Sequence, residues 1–150
     1  MHPFNNFTNK AQEALRRAHE IAIERGHGSL DVTHLLGALL MQEDGVVFHL
    51  LSKLEADAAA LSDYVFDALE GSVSANVLTP HQQLYLTQEL ARTLEAAGRA
   101  AVMLKDEYVS CEHLFLAMLE VTSRAKDILA RFRIEKEAVL RILHEIRGSQ

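Results

Sequence analysis

Eight histidines and one cysteine in 150 residues are the groups with which this chain could do chemistry. Neither metal nor nucleophile chemistry finds its spacing. A helical zinc motif needs two histidines four residues apart with a glutamate between them, and His19-Glu20 and His144-Glu145 each lack the second histidine. Cys111-x-His113 has no second cysteine, so no metal site is expected. For Cys111 to act as a nucleophile it needs a base on its own face, yet residues two apart on a helix point in different directions. Cys111 therefore reads as a small packing residue at a helix start. No Gly-rich loop ending in Lys-Ser or Lys-Thr is present, so no nucleotide site is expected.

Two histidines do share a pattern. His34 and His113 each open a Leu-rich run, and they stand 79 positions apart. The same offset pairs Thr8 with Thr87, Leu15 with Leu94, Ala18 with Ala97 and Ala22 with Ala101. It continues through Leu35 and Leu114, Ala38 and Ala117, Leu50 and Leu129, and Leu61 and Leu140 without a gap. This is an internal duplication. At matched positions His34 and His113 are either contact residues or groups that bond a neighbouring cap and fix a turn.

The elements that must position these groups are helices. Half of the residues (49%) are hydrophobic, enough to bury a core, and Ala, Leu and Glu lose little entropy in a helix. Thr8 caps a first helix with Ala11, Ala14, Leu15, Ala18 and Ala22 on one face, stopped by Gly26 and Gly28. Asp31 caps a second, Val46 to Leu54 form a third, and Asp57 caps a fourth that Gly71 ends. Thr87 and Ser110 cap the fifth and sixth helices. Ala125 to Phe132 and Ala138 to Ile146 supply the seventh and eighth. Phe4 and Phe7 are candidate anchors of an extended lead-in. With no sustained alternation of apolar and polar residues, no sheet is expected. The fold class is all-α: one domain over 1–150, built of two four-helix repeats (4–70 and 86–147) about a pseudo-twofold axis. A small, polar linker at 71–85 joins them, and a groove is expected where the repeats meet.

Composition limits the setting. The formal charge of −6 argues against nucleic acid, and no run of 18 apolar residues suits a membrane. One cysteine permits no internal disulfide and no charged-then-apolar leader opens the chain, so a cytoplasmic location is expected.

Phe7-Thr8-Asn9-Lys10-Ala11-Gln12-Glu13-Ala14-Leu15, Gly26-His27 and His34-Leu35-Leu36-Gly37-Ala38-Leu39-Leu40 resemble the first repeat of the Clp N-terminal domain. Tyr85-Leu86-Thr87 and Leu104-Lys105-Asp106-Glu107-Tyr108-Val109-Ser110-Cys111-Glu112-His113-Leu114 resemble its second, closest to the ClpB-type disaggregase branch. The resemblance spans residues 4–147. It implies an eight-helix pseudo-dimer that binds unfolded or aggregated polypeptides, or an adaptor protein. It also implies no catalysis and no cofactor in this domain. ATP, Mg and hexamer formation would belong to ATPase modules outside the chain. By resemblance Thr8, Asp106 and Glu112 handle substrate, with Leu94 and His113 as further candidates. From the residues alone, Thr8 is a cap, Asp106 a turn residue, Glu112 a first-turn acid, and Leu94 suits the core equally well. The ClpC branch suggests an alternative, a phosphoarginine pocket, for which Thr87 and Glu112 hold matching positions. A stand-alone regulator is the remaining alternative.

Overall fold

A computed structural model describes residues 6–71 and 84–148. Its first half holds α1 (Asn9–Glu24), β1 (Ser29–Leu30), α2 (Val32–Leu40), α3 (Val46–Lys53) and α4 (Ala58–Glu70). The second holds β2 (Tyr85–Leu86), α5 (Gln88–Met103), α6 (Cys111–Glu120), α7 (Arg124–Arg131) and α8 (Lys136–Gly148). Phe4 and most of the expected linker, residues 72–83, lie outside the described residues; Tyr85, its expected last residue, is in β2.

The core sits on the two short central helices. Every residue of α2 is buried, and so is nearly all of α6. A helix apolar all round must be enclosed on every side. α1 packs on α2, α5 packs on α6, and α2 also touches α4, α6 and α7. Ala11, Ala14, Ala18 and Ala22 are fully buried on α1, and their small side chains let its backbone approach α2 closely. On α5 the mate of Ala14 is Thr93, completely buried, whose hydroxyl donates to the Glu89 carbonyl at 2.7 Å. That bond offsets the cost of burying the hydroxyl.

Most helix starts follow the side chains expected to cap them; Ser110 stands at the N-cap of α6, but its hydroxyl donates to Glu112. Thr8, Asp57 and Thr87 accept from the third N–H of their helices at 3.0–3.1 Å. α1 stops in a two-bond C-terminal motif: Gly26 N–H reaches the Ile23 carbonyl (3.0 Å) and His27 N–H the Ala22 carbonyl (3.0 Å). α5 repeats it with Lys105 on Val102 (3.0 Å) and Asp106 on Ala101 (2.8 Å). The motif needs a left-handed residue, supplied by Gly26 (φ +69°) and Lys105 (φ +60°). Glycine adopts it freely, whereas Lys105 pays about 1 kcal/mol.

Two expectations are corrected. First, β1 and β2 form a short parallel ladder, Ser29 beside Tyr85 and Leu30 beside Leu86. Two residues cannot show an alternating pattern, so the sequence carries no sign of it. An isolated parallel bridge joins Phe7 to Val109. These contacts are mates: Thr8 N–H bonds the Val109 carbonyl (2.9 Å) as Thr87 N–H bonds the Leu30 carbonyl (3.0 Å). Each repeat thus lays its opening segment on the other. Secondly, the offset of 79 does not run ungapped. It holds for α1/α5 and for the starts of α2/α6, but α3/α7 and α4/α8 stand 78 apart. The connection from α6 to α7 is shorter than that from α2 to α3, so Leu51 rather than Leu50 is the mate of Leu129, and Leu61 pairs with Val139.

Candidate functional site

The C-terminal motifs of α1 and α5 place one side chain each, His27 and Asp106, against the histidine in the first turn of the following helix. In the second repeat, His113 Nδ1 accepts from the Ser110 backbone N–H at 2.8 Å. The ring proton therefore sits on Nε2, which donates to Asp106 Oδ2 at 2.7 Å. Arg147, near the end of α8, reaches the same carboxylate with both terminal nitrogens (3.1 and 2.7 Å) and Glu112 with one (3.4 Å). The Ser110 hydroxyl donates to Glu112. The guanidinium holds the Asp106 carboxyl below the usual carboxylate range, with His113 adding to the effect, and Asp106 in turn raises Arg147. His113 itself is 1% exposed.

The first-repeat corner has the same backbone and different chemistry. His34 Nδ1 accepts from the Asp31 N–H at 2.9 Å, and its Nε2–H donates to His27 Nδ1 at 2.9 Å. Burial, then the neighbouring His27, pushes His34 down to about 4, and burial with Arg25 lowers His27 as well. The pair is therefore neutral at pH 7. Asp31 accepts from the Thr33 hydroxyl (3.0 Å) and from the Thr87 hydroxyl (2.9 Å), which ties the α2 cap to the α5 cap.

The expected site residues fall in two places. Thr8 and Glu112 line a cavity of about 300 Å³ with Lys10, Gln42, Ser110 and Cys111. Asp106 and His113 stand behind Glu112 in the network just described. Cys111 donates to Gln42 Oε1 at 3.4 Å, and burial pushes its thiol up to about 12, which leaves it un-ionised. Leu94 stands elsewhere, on a groove of about 470 Å³ between α1 and α5. Leu15, Leu30 and Leu86 share that groove, and Gln12, Arg16, His19 and Glu20 form its polar margin. Of the two alternative residues, Thr87 bonds Asp31 at the first corner, whereas Glu112 lines the cavity with Thr8 at the second.

Leu15, Leu30, Leu86 and Arg147 are the residues that sequence reasoning missed. Leu15 and Leu94 are repeat mates, and so are Phe7 and Leu86. Residues paired by a duplication can meet at its axis, and that was the available signal for the groove. Nothing near Asp106 or Glu112 in sequence points to Arg147. Among the described residues no three His, Cys, Asp or Glu side chains come together as metal ligands, and no helix is long and apolar enough to cross a membrane.

The Clp repeat (R) N-terminal domain model matches residues 6–132. The chain is 33% identical over 147 residues to the chaperone protein ClpB of Bacillus anthracis and 37% over 150 residues to that of Nitratidesulfovibrio vulgaris. The alignments cover 97% and 96% of this chain but only 17% of either relative. The Hsp104 N-terminal domain of Candida albicans superposes with a TM-score of 0.83 at 25% identity, over 97% of this chain and 94% of that one. Duplicated corners, crossed opening segments and these matches together make the chain a member of the Clp N-terminal domain family, similar to the N-terminal part of ClpB chaperones.

Proposed function

We propose that this chain is the non-catalytic, substrate-capturing module of a ClpB-like disaggregase, acting in the cytoplasm for an ATPase ring formed by modules outside these residues. The observation that carries the reading is the groove between α1 and α5, floored by Leu15, Leu30, Leu86 and Leu94. Tyr85 and Leu86 beside it are 72% and 51% exposed, which leaves apolar surface next to the groove open to a partner. An apolar segment of an unfolded or aggregated protein would bury two or three side chains there. Each contributes about 1.5–3 kcal/mol, against several kcal/mol for association. Single-domain binding is then weak and fast, and several such domains around a ring would raise avidity. On this reading Asp106, Glu112 and His113 brace the α5–α6 corner, whose Val109 carbonyl accepts from the Thr8 N–H (2.9 Å) at the start of α1. Gln12, whose amide donates to the Phe7 carbonyl at 2.9 Å, joins that start to the groove margin.

The test is an amide-NMR titration with an unfolded, non-phosphorylated model protein. Shifts should centre on Leu15, Leu86 and Leu94 and fall at least tenfold in apparent affinity in Leu94→Ser. A spectrum unperturbed at high micromolar client would sink substrate capture and move weight to docking of a folded adaptor, which would bind one face with fixed stoichiometry.

A further inference from the structure

The last helix is fastened at its end by charge rather than by packing. Val139 and Leu143 are the buried residues of α8; beyond Leu143 the helix buries no side chain fully, although Ile146 rests partly on the core. Arg147 makes the connection instead. Its side chain is 31% exposed, and the guanidinium grips Asp106 with two bonds and touches Glu112 with a third contact. A cation in the last turn also faces the negative end of the helix dipole, which adds to the hold. The first repeat fastens the end of α4 at the corresponding corner, but with the signs exchanged. Arg25 caps α1 and pairs with Glu70 at 2.9 Å, and that carboxylate is 64% exposed. Glu70 opposes its own helix dipole, so this fastening is the weaker of the two.

We propose that Asp106, Glu112 and Arg147 form a latch that clips the last turn of α8 to the α5–α6 corner and sets how far whatever follows α8 can reach. Residues 144–148 span about 7 Å as helix and about 17 Å when extended. Unwinding these residues once the latch opens would lengthen the tether by about 10 Å and, of the core, uncover only the partly buried edge at Ile146. In a protein as long as the ClpB relatives, of which this chain matches 17%, that length lies between this domain and the rest. The inference does not depend on what the groove binds.

Hydrogen exchange of the 150-residue chain, resolved by residue, tests it. Arg147→Gln leaves the His113–Asp106 bond in place. It should raise exchange at residues 144–148 about tenfold, the loss expected for a charge-assisted bond pair. Protection at Leu114–Leu119 should not change. Asp106→Arg alone should loosen the same turn, and adding Arg147→Asp should restore at least half of the lost protection. Unchanged exchange at 144–148 in Arg147→Gln overturns the latch. So does loosening that spreads through α5 and α6, because Arg147 would then be supporting the core. Arg147→Lys keeps the charge and loses the fork; it should fall between wild type and Gln, and equality with wild type would also refute a two-bond latch.

Discussion

The two corners of this molecule share a backbone and differ in charge. At one, His34 shares its ring proton's bond with another neutral histidine. At the other, His113 gives the same bond to a carboxylate that an arginine neutralises. Both histidines first satisfy the cap residue's N–H (2.9 and 2.8 Å), so the ring's fold-building role is held constant while its partner varies. The comparison teaches that the duplicated part is the cap geometry. The charge at its outer face is free to change, and with it what the corner can grip: the Asp106 carboxylate holds Arg147 of α8, the last helix of its own repeat, whereas at the first corner the ion pair to the end of α4 is made by Arg25 and not by His27.

Deleting each histidine sharpens this most. His113→Ala should cost roughly 3 kcal/mol in urea unfolding, from the lost ring and from a carboxylate short of one donor. His34→Ala should cost about 1 kcal/mol less, because the group it leaves unpaired, His27, is neutral. Equal losses would mean that the partner's charge does not matter.

Acid should separate the corners next. His34 folds with its pKa lowered to about 4, and an unfolded histidine titrates near 6.5. The unfolded chain thus binds more protons in between, and stability present above about pH 6.5 is lost as pH falls toward 4, by roughly 2 kcal/mol at pH 4.5. Asp106 is also lowered, but from the ordinary carboxylate value. Its contribution is complete above about pH 4 and is lost only below that, as pH falls through its folded value. Urea midpoints between pH 7 and 4.5 should therefore drop in the wild type and lose most of that slope in His34→Gln, with His27, also lowered, supplying the remainder, while Asp106→Asn keeps it. A slope undiminished in His34→Gln would assign it to other groups.

The smallest difference concerns the caps. Thr8 and Thr87 both cap their helices, but among the described residues only the Thr87 hydroxyl donates across the repeats, to Asp31. Thr87→Val should cost about 1 kcal/mol more than Thr8→Val, the worth of one extra bond to a charged acceptor. Thermal unfolding of the two variants measures it, and identical midpoints would show that the cross-repeat bond adds nothing.

Much of this was legible in the chain. Thr8, Asp31, Asp57 and Thr87 announce helix starts because a short polar side chain before an apolar stripe has one good place to bond. The paired histidines exposed the duplication. What the chain hides is what depends on tertiary approach. Arg147 meets partners 35 and 41 residues away, and nothing local distinguishes it from any exposed arginine on a helix. Leu15 and Leu94 follow the same period as Ala14 and Ala97, so pattern alone cannot separate groove from core. A two-residue ladder is below the length at which alternation can register, and the one-residue slip between α2/α6 and α3/α7 is masked by the abundance of Leu and Ala.

The crossed opening segments carry a consequence for how such a molecule arises. Phe7 lies on Val109 of the second repeat, and Leu86 lies on Leu30 of the first. Neither repeat closes its own edge. Two copies of a single repeat, each lending its leading strand to the other, would make the same contacts as a symmetric dimer with swapped arms. Joining two such copies end to end would give one chain with these contacts, and each half could then diverge without losing its mate.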